Sequence, residues 1–218
     1  VLGGTGNVGL GSGAFGTGLT TGTDNVAVGD SSGDALTTGT DNTFVGNNSG
    51  GATTTGANNV AIGSAALDGN TTASDNIAIG INALGALNTS SNNVAIGTGA
   101  LDANTSGSGV AIGKDALGAN TTGGSNTAVG YAALTANTTA SNNVGIGASA
   151  LASNTTGTEN IALGAAAGDA ITEGNYNIAI GHNALTSDTL GSRSTAVGFA
   201  ALFSQNFTTA TDAYNVAV

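Results

Sequence analysis

A chain of 218 residues with one histidine, no cysteine and two basic side chains has few groups with which to do chemistry. The histidine is His182, and the residues one repeat away from it are Ala165 and Phe199. A nucleophilic triad needs a base oriented by an acid, and no such pair is in sight. The 13 acidic residues are spread one or two to a repeat. Asp24, Asp41 and Asp75 recur at one repeat position. Calcium, however, needs six or more converging oxygens, and the Gly-Gly-x-Gly-x-Asp pattern of calcium-binding rolls is missing. These carboxylates read as solubilising charge that also discourages edge-to-edge aggregation. Gly4-Thr5-Gly6-Asn7-Val8-Gly9 matches Gly-x-Gly-x-x-Gly, but a dinucleotide fingerprint requires a strand before it and a helix after it. With 38 glycines, chance matches are expected. Lys114 and Arg193 read as isolated surface charges. The expectation is a chain with no catalytic, cofactor-binding or metal-ligating set, and not an enzyme.

Two polar patterns remain. Asn-x-Ser/Thr occurs at Asn47, Asn70, Asn88, Asn104, Asn120, Asn137, Asn154 and Asn206. Six of these, Asn70 to Asn154, fall at nearly the same repeat position in a polar loop. As N-glycan acceptors they would form a row of sugars along one edge. The competing reading is turn chemistry copied with the repeat. Thr-Thr pairs recur at Thr20/Thr21, Thr37/Thr38, Thr71/Thr72, Thr121/Thr122, Thr138/Thr139 and Thr155/Thr156. Such a file suggests an ice- or glycan-binding surface as a minor alternative.

Composition narrows the class further. Charged residues are 7 % and the net charge is −11. Without a basic patch, binding to nucleic acid through phosphate neutralisation is not expected, and neither is a polybasic membrane anchor. No apolar run approaches the roughly 18 residues of a membrane span. Disordered chains join low hydrophobicity to high charge, whereas this one is 39 % hydrophobic. A fibrous or repetitive protein is what remains.

One motif organises the chain and places all of these side chains: Asn-(Val/Ile/Thr)-Ala-(Val/Ile/Leu)-Gly. It closes at Gly11, Gly29, Gly46, Gly63, Gly80, Gly97, Gly113, Gly130, Gly147, Gly164, Gly181 and Gly198. The spacing is 17 residues, apart from one step of 18 and one of 16. A further partial copy is Asn215-Val216-Ala217-Val218. In Val-Ala-Ile the large residues sit two apart, the period of a strand, and Asn and Gly on either side are turn residues. A strand this short can bury its apolar face only against copies of itself. The spacing therefore predicts an all-β parallel β-solenoid, or β-roll, of about 12–13 coils over one repeat domain, 1–218. Helical repeats are rejected because the Gly and Thr content leaves no room for a stable helix.

Three aliphatics per coil are expected to fill the core: the pair flanking the motif alanine, as in Ile77 and Ile79, and the leucine of an Ala-Leu corner, as in Leu84. The residue between the pair then points outward. It is Ala61, Ala78, Ala95, Ala111, Ala128, Ala162, Ala179 and Ala196, with Phe44 the large exception. So uniformly small a face predicts close packing against sister chains, as around a three-fold axis.

At these residues the chain resembles the head repeats of YadA-like trimeric autotransporter adhesins. The longer form, with Ala-Leu and Asn-Thr-Thr-Gly, is similar to repeats of bacterial and phage fibre proteins. The resemblance spans Asn7 to Val218. It implies a trimeric or laterally packed β-roll that acts as a structural shaft or spacer of an extracellular, cell-surface or virion-surface fibre, filament or adhesin, or as a phage tail-fibre segment. Its repeat is nearer 14 residues in that family and 17 here. The expected partners are copies of itself, with a cell-surface or glycan ligand as an addition, and neither nucleic acid nor membrane insertion. The open coil at Val218 predicts capping by more chain or by the next subunit, which end-to-end filaments would satisfy.

Overall fold

In this computed structural model, residues 4–16, 18–86 and 89–218 are described. The fold is all-β, with no helix among the described residues, and is a parallel β-solenoid of about twelve turns. It divides into two compact units, 1–108 and 109–218. The boundary falls within the single 16-residue step between Gly97 and Gly113.

In the first unit six strands stack in sequence order: β1 (Val8–Leu10), β2 (Val26–Val28), β3 (Thr43–Val45), β4 (Val60–Ile62), β5 (Ile77–Ile79) and β6 (Val94–Ile96). Each pairs with the equivalent residues one turn on, so Ile77 sits beside Val94 and Ile79 beside Ile96. The second unit continues the pattern with β7 (Gly109–Ile112), β8 (Asn126–Val129), β9 (Val144–Ile146), β10 (Ile161–Leu163), β11 (Ile178–Ile180), β13 (Thr195–Val197) and β15 (Val216–Ala217). The short β12 (Gly191–Ser192), just before β13, and β14 (Thr211–Asp212), between β13 and β15, form a separate parallel pair.

Two local features force the turn. The closing glycines adopt φ between +124° and +140°. A Cβ on Gly63 would lie 2.6 Å from the Gly80 carbonyl oxygen, so the backbones of successive turns approach through a space no side chain can enter. Four residues later the chain turns left-handed again, at leucine: Leu67, Leu84, Leu101, Leu117, Leu134, Leu151, Leu185 and Leu202 have φ of 51–56°. A left-handed residue with a side chain costs about 1–2 kcal/mol. The leucines from Leu67 to Leu185 are fully buried, which returns about 1.5–3 kcal/mol each. The corner therefore breaks even or better only because its side chain reaches the core.

That leucine faces the motif alanine. Ala61, Ala78, Ala95, Ala111, Ala128, Ala162, Ala179 and Ala196 are 0–1 % exposed within the single chain. The expected inter-chain face is thus the inner lining, and the aliphatic pair expected inside lies outside. The reason is the thinness of the coil. At Gly145, which replaces the alanine in β9, an added Cβ would sit 3.2 Å from Leu134 Cγ, so a methyl group already touches the opposite wall. Phe44 is also completely buried, and it fits because the corner leucine is replaced by Gly33 and Gly50. A Cβ on Gly50 would come within 2.6 Å of the Phe44 ring. In β1 the exchange is reversed, with Gly9 opposite the buried Phe15.

Candidate functional site

The motif asparagines form an internal file. In the first unit Asn25, Asn42, Asn59, Asn76 and Asn93 each donate a backbone N–H and an Nδ2–H to the Oδ1 of the asparagine one turn before, at 3.0–3.2 Å. In the second unit the backbone N–H groups of Asn143, Asn160, Asn177 and Ser194 bond to the preceding Oδ1 in the same way. These side chains are buried, and their amide donors and acceptors are satisfied as buried polar groups must be. The file holds successive turns in step, and it presents nothing to solvent.

The candidate glycan acceptors divide by burial. Asn70, Asn104, Asn120, Asn137 and Asn154 are 0–1 % exposed. Each donates its Nδ2–H to a carbonyl three residues on, at 2.7–3.1 Å, and Asn120, Asn137 and Asn154 also chain to one another. A sugar on these nitrogens has no room in the folded chain, so the predicted row of glycans is corrected at these five positions: they are turn and core residues. Asn47 and Asn206 are exposed. Asn88 lies outside the described residues.

The threonine file is likewise partly committed. Thr20, Thr37, Thr54, Thr121, Thr138, Thr155 and Thr172 each donate their hydroxyl to the backbone carbonyl one turn on, at 2.9–3.2 Å. From Thr37/Thr38 onward, the second threonine of each pair is the exposed one.

What the molecule does present is its outer strand face. Every three-residue strand from β2 to β6, and β9 to β11 with β13, turns its first and third residues outward and its middle residue in, and the four-residue β8 does the same with Thr127 and Val129 outward and Ala128 in. Ile77 is 38 % exposed, Ile62 39 % and Ile146 40 %. Outward residues are Val, Ile or Leu throughout, with Thr only at Thr43, Thr127 and Thr195. Among the described residues no charge interrupts the face in either unit. Ordered, contiguous apolar surface of this kind is what protein interaction sites commonly present.

The basic residues are not isolated as expected. Lys114 pairs with Asp115 at 3.2 Å and lies over the Tyr131 ring, and the carboxylate beside it raises its pKa. Arg193 pairs with Asp212 at 3.0 Å and stacks over Tyr176, with its pKa raised by the same kind of neighbour. His182 stacks on Phe199 as the repeat spacing implied, ring centres 5.6 Å apart. Among the acids, partial burial pushes the Asp68 carboxyl up, partly offset by a hydrogen bond from Asn48. Among the described residues no group of three or more His, Cys, Asp or Glu could hold a metal ion, and no helix is long and apolar enough to cross a membrane.

Comparison with protein-family models, with curated proteins and with solved structures returns no match. The surface itself must therefore carry the functional reading. Sequence alternation located both strand faces but assigned them the wrong way round. The signal that could have corrected it was Phe44 paired with Gly50, which places the middle residue opposite the corner and hence inside.

Proposed function

We propose that this chain is a structural shaft or spacer of an extracellular or surface fibre, assembled from copies lying side by side through their outward aliphatic strand faces. The single observation that supports it is the outer face: rows of Val and Ile, each about 4.8 Å above the last, with no charge among them. A second copy matches that period row for row, and a partner of other periodicity does not. Inside each unit the turns are locked by backbone pairing and by the asparagine file, the construction expected of a stiff spacer. A phage or virion tail fibre uses the same mechanics, and the surface does not favour it over a cell-surface filament or adhesin.

Sedimentation and electron microscopy of the purified chain test this. The expected result is a particle of more than one chain, reduced to single chains by Ile146→Lys with an unchanged β-type circular dichroism spectrum. A wild-type chain that stays single at all accessible concentrations would remove the reading.

A further inference from the structure

Copies packed side by side, as proposed for the fibre, meet in a definite orientation and at a definite height. The second unit carries features that select both, and a clasp between copies depends on that side-by-side packing. Two files flank the unit's outward face. The residue before the motif asparagine position stands where each strand begins, and in the last turns it is Tyr176, Arg193 and Tyr214. The residue after the closing glycine stands where each strand ends, and in those turns it is His182 and Phe199. These are large outward side chains: Tyr176, with a turn stacked on either side, is still 46 % exposed. They are also ordered. The Arg193 guanidinium lies 4.8 Å from the Tyr176 ring centre and 5.8 Å from that of Tyr214, tethered by Asp212. The His182 and Phe199 rings are parallel to within 6°.

Area requires these files to join the contact. The seven stacked strands of the unit present a face of roughly 30 Å by 10 Å, about 300 Å² in plan, whereas a stable interface takes about 800 Å² from each partner. The strand face alone falls short, so a stable contact spreads onto its flanks.

Symmetry then decides which flank meets which. When two copies pack face to face about an axis along the stacking direction, their strands run in opposite senses across the contact. The edge where strands begin on one copy lies against the edge where they end on the next, at the same height. In the turns of β11 and β13 aromatic and cationic side chains stand on both edges at the same height, as that arrangement needs, whereas in the turns of β7 and β8 they stand on the ending edge alone, at Lys114 and Tyr131. An axis along the strands would instead set like edges together with heights inverted. We infer that copies associate in parallel and in register, with Tyr176 and Arg193 of one copy clasping His182 and Phe199 of the next. Arginine over an aromatic face and ring against ring are favourable contacts once water is excluded.

The absence of cysteine makes the test clean. Asn142 and Ala148 occupy the same two files below the clasp, and both are exposed. Chains carrying Asn142→Cys are mixed with chains carrying Ala148→Cys and treated with a bis-maleimide of about 10 Å, the separation of packed sheets. The expected product is a mixed covalent dimer that neither variant forms alone, while Ser125→Cys with Ala165→Cys, two turns out of step, stays uncoupled. Coupling of Ala148→Cys to itself would overturn the parallel arrangement while leaving lateral association intact. A wild-type chain with no oligomer by sedimentation would overturn both. Phe199→Ser, and separately Arg193→Asn (Asn because φ is +63° there), are expected to weaken association at least tenfold with unchanged circular dichroism. Unchanged association in both variants would refute the clasp.

Discussion

Asn59 shows how much one residue holds in this fold. Its Oδ1 accepts the backbone N–H of Asn76 at 3.1 Å and the Nδ2–H of the same residue at 3.2 Å, and its own Nδ2 donates to the Ala73 carbonyl. Replacing it by alanine leaves two donors of the next turn unpaired in a buried setting, while the Ala73 carbonyl keeps the Nδ2–H of Asn70. Each orphaned group costs about 1–3 kcal/mol, so Asn59→Ala is expected to lower unfolding free energy by about 2–4 kcal/mol in urea titrations. Thr72→Ala, on the exposed side of the next coil, should stay within about 0.5 kcal/mol. Equal effects at the two sites would show that the asparagine file is incidental.

At the scale of one coil, corner and loop trade volume. At the leucine corners Leu67, Leu101, Leu117, Leu134 and Leu151, the position three further on is a buried asparagine. Where the corner is Gly168, that position is Ile171, and a Cβ on the glycine would lie 3.0 Å from Ile171 Cδ1 and 3.2 Å from Leu151 Cδ2. The exchange has one visible cost: Asn154 Oδ1, one turn below Ile171, is the buried side-chain atom with no hydrogen-bond partner among the described residues. Gly168→Leu alone should destabilise by about 1–3 kcal/mol through overpacking, and Ile171→Asn alone by leaving a cavity. Together they rebuild the arrangement of the neighbouring coils and give Asn154 a donor. The pair is expected to be at least as stable as wild type, a coupling above about 1 kcal/mol in a double-mutant cycle. Additive losses would refute the trade.

Across the whole molecule, stability is a sum over turns and the contacts between them. Excising Ser64–Gly80 joins Gly63 to Ile81 and leaves every remaining residue in its repeat position. That variant should fold, with the same circular dichroism per residue and a urea m-value lowered in proportion to the surface lost. Removing half a turn should abolish the fold, because strands would then face corners. A half-turn deletion that folds as well as the full-turn one would rule out register as the organising constraint.

The period, the parallel in-register pairing, the place of the turns and the lack of helix were all legible in the amino-acid sequence. They follow from chain-local facts: seventeen-residue spacing, two-residue alternation, and glycine where backbones meet. Which strand face lies inside was not legible, because alternation names two faces without ranking them, and the larger side chains make the natural guess. Only the closed coil decides that, since its cross-section is already filled by a leucine reaching from the far corner and leaves a methyl's width for Ala78 or Ala111. The same closure carried Asn120 and Asn137 from a polar loop into the interior. Burial there depends on what lies one turn above and below, and no window of sequence shorter than three turns contains that information.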